Sequence, residues 1–146
     1  MCIVIDTDTF GDFLRQNNPD FRPVWRWVNK KGKIAYCPTG SIKKEMKYYI
    51  KRLVSVSREL QRSNMVKYIN VDDFSSEERM LLECKNKPNY PAILSDDIHI
   101  IALAKAANVK VLVTNDKTLM TDFKNYVNGG KTVSYTHLTL PTKRIV

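Results

Sequence analysis

Apolar residues along this chain come in two kinds of run, short β-branched blocks and stripes at helical spacing, and the two alternate. CIVID (2–6) is a block of the first kind that ends in Asp, as expected of a buried central strand with its polar tip at the carboxyl end. Phe10, Phe13 and Leu14, then Phe21, Val24, Trp25 and Val28, keep helical spacing over 9–17 and 21–29, with the turn cluster NNPD between them. A second strand over 34–37 is stopped by Pro38 and Gly40. Ser41 then stands where it would cap a helix beginning IKKEMKYYIKRL. A further basic helix, SVSRELQRS, leads into VKYINVDDF, and Ser75 or Ser76 would cap SEERMLLECKN.

The last part has the clearest pattern. Ser95 precedes DDIHIIALAKAANV, in which Ile100, Leu103, Ala104 and Ala107 form one apolar face, and VKVLVTND (109–116) makes a strand ending in Asp116. Strands alternating with helices predict one α/β domain, three layers deep, with a mostly parallel central sheet. Ligands of such sheets bind beyond the carboxyl ends of the strands, so Asp6 and Asp116 should share one rim.

Composition narrows the class. With 146 residues, 43% hydrophobic and 27% charged, the chain suits a single packed domain. No apolar run approaches the roughly 20 residues that span a bilayer, and a cytoplasmic protein without membrane attachment is expected. Cys2, Cys37 and Cys84 lack metal-like spacing and read as reduced core fillers. They have no His or Asp that the sequence places beside them, which makes nucleophilic catalysis a weak reading. GG at 129–130 reads as a turn, and no glycine-rich phosphate loop is present.

Charge changes the picture because it is local. Residues 22–67 hold 13 Lys and Arg against Glu45 and Glu59, whereas residues 1–21 hold four Asp against one Arg and residues 68–132 are nearly balanced. A basic block interleaved with aromatics, as in KKEMKYYIKR, fits the phosphate backbone of a nucleic acid; a solubilising face or an acidic protein partner would give the same block.

Four acids coincide with the ends of apolar elements or stand alone among bases: Asp6, Glu45, Asp97 and Asp116. Carboxylates that converge at buried strand ends repel one another and need a counter-charge, and hard oxygen donors of this kind suit Mg²⁺ or Mn²⁺. Each also has an ordinary reading. Asp96 and Asp97 would complement a helix dipole, Glu45 would pair with nearby Lys on its helix, and Asp6 and Asp116 would open turns. Within the LSDDIHIIALAKA stretch, Asp97 lies three residues before Ile100 and seven before Ala104, on the inward stripe, whereas Ser95 and Asp96 would begin the helix. His99, two positions from Asp97, should point elsewhere, to the surface or a partly packed site.

IVIDTD, a lone Glu early in a helix, and DDIHIIALAKAANVKVLVTND together resemble the PIN domain, a nuclease fold common in the toxin ribonucleases of prokaryotic toxin–antitoxin pairs. The resemblance covers residues 2 to about 125. It implies that Asp6, Glu45, Asp97 and Asp116 are catalytic metal ligands for Mg²⁺ or Mn²⁺, that Asp122 is an additional outer ligand, and that Thr114 orients the first Asp. It implies endoribonuclease activity leaving a 5′-phosphate and a 3′-hydroxyl, with an RNA substrate and an antitoxin protein as partners, and it leaves room for a homodimer. A non-catalytic nucleic-acid-binding PIN module is the alternative. A phospho-acceptor receiver domain fits poorly, because IAYC (34–37) carries no Asp. The family shows Asn two positions after the first Asp, where this chain has Asp8. TVSYTHLTLPT (132–142) resembles a translated sequencing adapter, which sets residues 133–146 apart as a non-native tail beyond a 1–132 domain and leaves the last strand of the sheet in question.

Overall fold

The computed structural model describes residues 2–15, 26, 28, 30–59, 65–85 and 87–133. The predicted helix over 21–29 lies largely outside these, as does the tail from residue 134 onward. The described elements run β1 (Cys2–Ile5), α1 (Thr7–Arg15), β2 (Lys33–Tyr36), α2 (Gly40–Glu59), β3 (Val66–Tyr68), α3 (Val71–Lys85), α4 (Ile98–Ala106), β4 (Val111–Val113), α5 (Lys117–Tyr126) and β5 (Lys131–Val133).

The strands form one five-stranded sheet in the order β3-β2-β1-β4-β5, and every pairing is parallel. The mostly parallel α/β/α architecture read from the sequence is the one observed. β1 sits at the centre because Ile3, Val4 and Ile5 are buried, as a strand covered on both faces requires. The chain winds outward from β1 to β3, then returns to build β4 and β5 on the other side. The reversal of winding therefore falls between β1 and β4, where Val4 pairs with Leu112 and Ile5 with Val113.

Helix α4 is buried on all sides from Ile98 to Ala104, packed on the sheet and α3. Each fully buried Ile or Leu there contributes about 1.5–3 kcal/mol, so the helix is an anchor for whatever precedes it. It ends in a left-handed turn: Asn108 has φ 54°, Val109 N–H donates to Ala104 O and Asn108 N–H to Lys105 O. At the far edge, Gly130 brings the chain back onto α5, since a Cβ there would lie 2.8 Å from Phe123 Cε1 and 3.0 Å from Val127 O. β5 follows and fills the edge position, so the strand that the tail left in question is present, and its last residue, Val133, lies past the expected 1–132 boundary.

Several boundaries differ from the pattern-based expectation. The two basic helices predicted after Ser41 are one 20-residue helix, α2. It begins two residues early, at Gly40 rather than Ile42, because Thr39 O accepts from Lys43 N–H, which leaves Ser41 inside the first turn. Helix α3 starts at Val71 rather than at Ser75 or Ser76, capped by Asn70 Oδ1, which accepts from Asp72 N–H at 2.8 Å and Asp73 N–H at 3.3 Å. The segment before it adds β3, which pattern did not identify.

Candidate active site

Asp6 follows β1 directly, so the central strand aims its carboxylate at the rim where winding reverses. It is 8% exposed and accepts two hydrogen bonds, from Thr114 Oγ1 to Oδ2 at 2.9 Å and from Thr7 N–H to Oδ1 at 2.8 Å. Burial pushes its acid dissociation above the usual carboxylate range; the Thr114 bond opposes the shift, and Asp97 and Asp8 reinforce it. Asp8 itself is exposed in the first turn of α1.

Asp116 follows β4 on the same rim and caps α5. Its Oδ1 accepts from Thr118 Oγ1 at 2.7 Å, Thr118 N–H at 3.0 Å and Leu119 N–H at 3.2 Å. The Thr118 hydroxyl, ahead of the two backbone groups, draws this carboxyl below its ordinary range despite partial burial. Thr114 joins the two acids, because its hydroxyl donates to Asp6 and accepts from Asp116 N–H at 3.1 Å. That is the orienting position the resemblance implied for Thr114.

Asp97 occupies the N-cap position of α4, with φ −105° and ψ 44°, and its side chain makes no capping bond to the helix. Its N–H donates instead to Ser95 Oγ at 2.8 Å. Asp96 precedes the helix and is exposed, so it does not cap α4 as the helical-wheel argument had it; both acids lie ahead of the first helical turn, where a 100° step does not apply. Burial raises Asp97 above its ordinary range. His99 opposes that rise, whereas Glu45, Asp116 and Asp96 add to it.

His99 departs most from expectation. It is 8% exposed, its Nε2 lies 2.7 Å from Glu45 Oε2, and it stands 4.0 Å from Asp97 Oδ1. Because Asp97 is a cap rather than a helical residue, the two-position offset does not send the side chains apart. A signal for this existed in the run IHIIALA: a helix apolar all round buries its histidine, and a buried imidazole needs a partner. Glu45 accordingly reaches off α2 toward His99 and Thr7, whose Oγ1 donates to Oε2 at 3.2 Å, rather than toward the lysines beside it.

A hydrogen-bonded chain thus runs from Asp116 through Thr114, Asp6, Thr7 and Glu45 to His99, with Asp97 beside its end. Ligand atoms of Glu45, Asp97 and His99 all lie within 4.8 Å of one another. That spacing, and two carboxylates with one imidazole, fit a divalent cation with ligands at about 2.0–2.6 Å after small side-chain rotations. Asp122 is placed elsewhere. It is fully buried, and its carboxylate accepts from Leu94 N–H at 3.1 Å to each oxygen and from Ser95 N–H at 2.7 Å. It fixes the loop that delivers Asp97 and does not join the trio.

The sequence model of the PIN domain matches residues 2–118. Among solved structures, the chain is similar in fold to the crystal structure of VapBC2 from Rickettsia felis bound to a DNA fragment from their promoter. The TM-score is 0.53 at 18% identity, over 92% of this chain and 98% of that one. No curated protein matches it.

Proposed function

The chain belongs to the PIN domain family, and from that membership we propose that it is a divalent-metal-dependent endoribonuclease, the toxin of a toxin–antitoxin pair. The observation that carries the proposal is the meeting of Glu45, Asp97 and His99 beside the Asp6–Thr114–Asp116 rim, at the point where the sheet reverses its winding. Glu45, Asp97 and Asp6 would hold Mg²⁺ or Mn²⁺, with Asp116 completing the charge and His99 as a further donor. Such an ion supplies neutralisation of the scissile phosphate and activation of water.

The chain's own groups do the rest. Thr114 and Thr7 hold the Asp6 carboxylate from both sides, which fixes its lone pairs before substrate arrives. Converging carboxylates that burial and mutual repulsion push toward protonation make the rim a strong attractor of cations. Exposed Lys43, Lys44, Lys47, Lys51 and Arg52 on α2 give the RNA backbone a positive track beside the acids.

No helix among the described residues is long and apolar enough to cross a membrane. We place the protein in the cytoplasm, take residues 1–132 as the working domain, and take an antitoxin as its protein partner, a reading that the likeness to VapBC2 supports. Labelled RNA incubated with Mn²⁺ and the protein, alongside Asp97→Asn, tests the activity: cleavage by the first and none by the second is expected. Equal cleavage by both, or none by either at high enzyme, overturns it.

A further inference from the structure

Glu45, Tyr48, Tyr49 and Arg52 are related by steps of three, four and seven residues on α2, so they share one flank of that helix. Glu45 faces the acid cluster. The other three line a cleft of about 390 Å³ between α1 and α2, together with Gly11 and Leu14 among the described residues. Tyr49 is held in place: it stacks on Phe10 with ring centres 5.5 Å apart at 18°, and a Cβ at Gly11 would stand 3.2 Å from its hydroxyl. Tyr48 meets Tyr49 edge-on, at 5.7 Å and 74°, and yet is 72% exposed. A ring held in place thus stands beside one that is largely open to solvent, with Arg52 one turn further along.

We infer that this cleft is a nucleotide subsite: Tyr48 stacks a base of a single-stranded RNA next to the scissile bond, and Arg52 holds the phosphate that follows. The inference rests on the nuclease reading above for its substrate. Distance supports it, because Glu45 and Arg52 are seven residues apart, about 10 Å along the helix axis, the scale of one or two nucleotides. Charge supports it too, since over 44–52 this helix exposes four bases, Lys44, Lys47, Lys51 and Arg52, against the one acid Glu45, a balance suited to a polyanion. Stacking on an aromatic platform tolerates any base, so the subsite would confer preference for an unpaired strand rather than for a sequence.

The test measures binding in EDTA, where cleavage is off, of a short labelled single-stranded RNA and of the same oligonucleotide with one abasic site walked along it. Tyr48→Ala should bind the intact RNA about tenfold more weakly, within the range that one base–aromatic stack supplies, and Tyr48→Phe should restore most of that. One abasic position should weaken the unsubstituted protein by a similar factor and leave Tyr48→Ala unaffected. Arg52→Gln should lower the dependence of log affinity on log salt by roughly one. Tyr48→Ala binding every RNA like the unsubstituted protein, or abasic losses equal in both proteins, overturns the subsite. The two readings separate: Mn²⁺-dependent cleavage with no Tyr48 effect on KM leaves the nuclease and removes the subsite, whereas the abasic pattern without cleavage does the reverse.

Discussion

His99 Nε2 lies 2.7 Å from Glu45 Oε2 and joins helix α4 to helix α2 across 54 positions of sequence. The bond puts an imidazole among carboxylates and makes His99 a measurable part of the site. His99→Ala should raise the Mn²⁺ concentration for half-maximal cleavage about 10–100-fold, the usual cost of losing a group that supports or binds a metal. An unchanged metal titration would reduce His99 to a packing residue.

Asp96 and Asp97 should separate cleanly. Asp97→Asn should lower cleavage at least about a hundredfold, beyond the roughly 10–100-fold of supporting residues. Asp96→Asn, at an exposed position before the helix, should change activity less than twofold, as roughly expected of surface substitutions. Single-turnover cleavage of both variants checks the pair.

The same acids carry a stability cost. Asp6 and Asp97 are both raised in the folded state, so the native protein favours their protonated forms. Stability from this source is present below the ordinary carboxylate range, about pH 4, and is lost as pH rises through the raised folded values. In EDTA, Asp97→Asn should therefore melt above the unsubstituted protein at neutral pH, with a smaller gap near pH 4. Saturating Mn²⁺ should reverse the order by stabilising only the protein with Asp97.

Thr114→Val keeps shape and removes the hydroxyl that Asp6 and Asp116 N–H share. Thr114 is fully buried, and a loss of about 1–3 kcal/mol is expected in urea unfolding, with Thr114→Ser close to the unsubstituted protein. Cleavage should fall for Val and recover for Ser, since Asp6 loses its orienting bond only in the former.

Asp122→Ala strips the partners from Leu94 and Ser95 N–H and should cost about 3 kcal/mol. At a temperature where the variant remains folded, its Mn²⁺ requirement should rise by no more than the roughly 10–100-fold of a supporting residue, short of the loss in Asp97→Asn. A shift like that of Asp97→Asn would instead return Asp122 to the ligand set.

What pattern could and could not reveal has physical causes. β1 and β4 were legible because parallel strands buried on both faces need unbroken apolar runs, and each is followed by an acid, Asp6 directly after Ile5 and Asp116 three residues after Val113. β3 carries two exposed residues in a three-residue strand, so it has neither a run nor an alternation to read. Asp6 and Asp116 could be placed on one rim from topology alone, and Thr114 only through the family resemblance. The Glu45–His99 contact could not, because it depends on where α4 begins, and a shift of a single residue at a helix start redirects every side chain of the preceding turn. The same dependence on the helix start moved Asp96 out of the cap position, and the bonds of Asp122 to the Leu94 and Ser95 N–H groups join segments 28 and 27 positions apart, which pattern does not show.

The register that pairs Val4 with Leu112 and Ile5 with Val113 also sets when the site can exist during synthesis. Asp6 is made more than a hundred residues before its Thr114 bond and its Asp116 neighbour can arrive. Closing so long a loop is slow and comes late in folding. Until the central sheet is complete, the chain carries separate acids but no assembled centre.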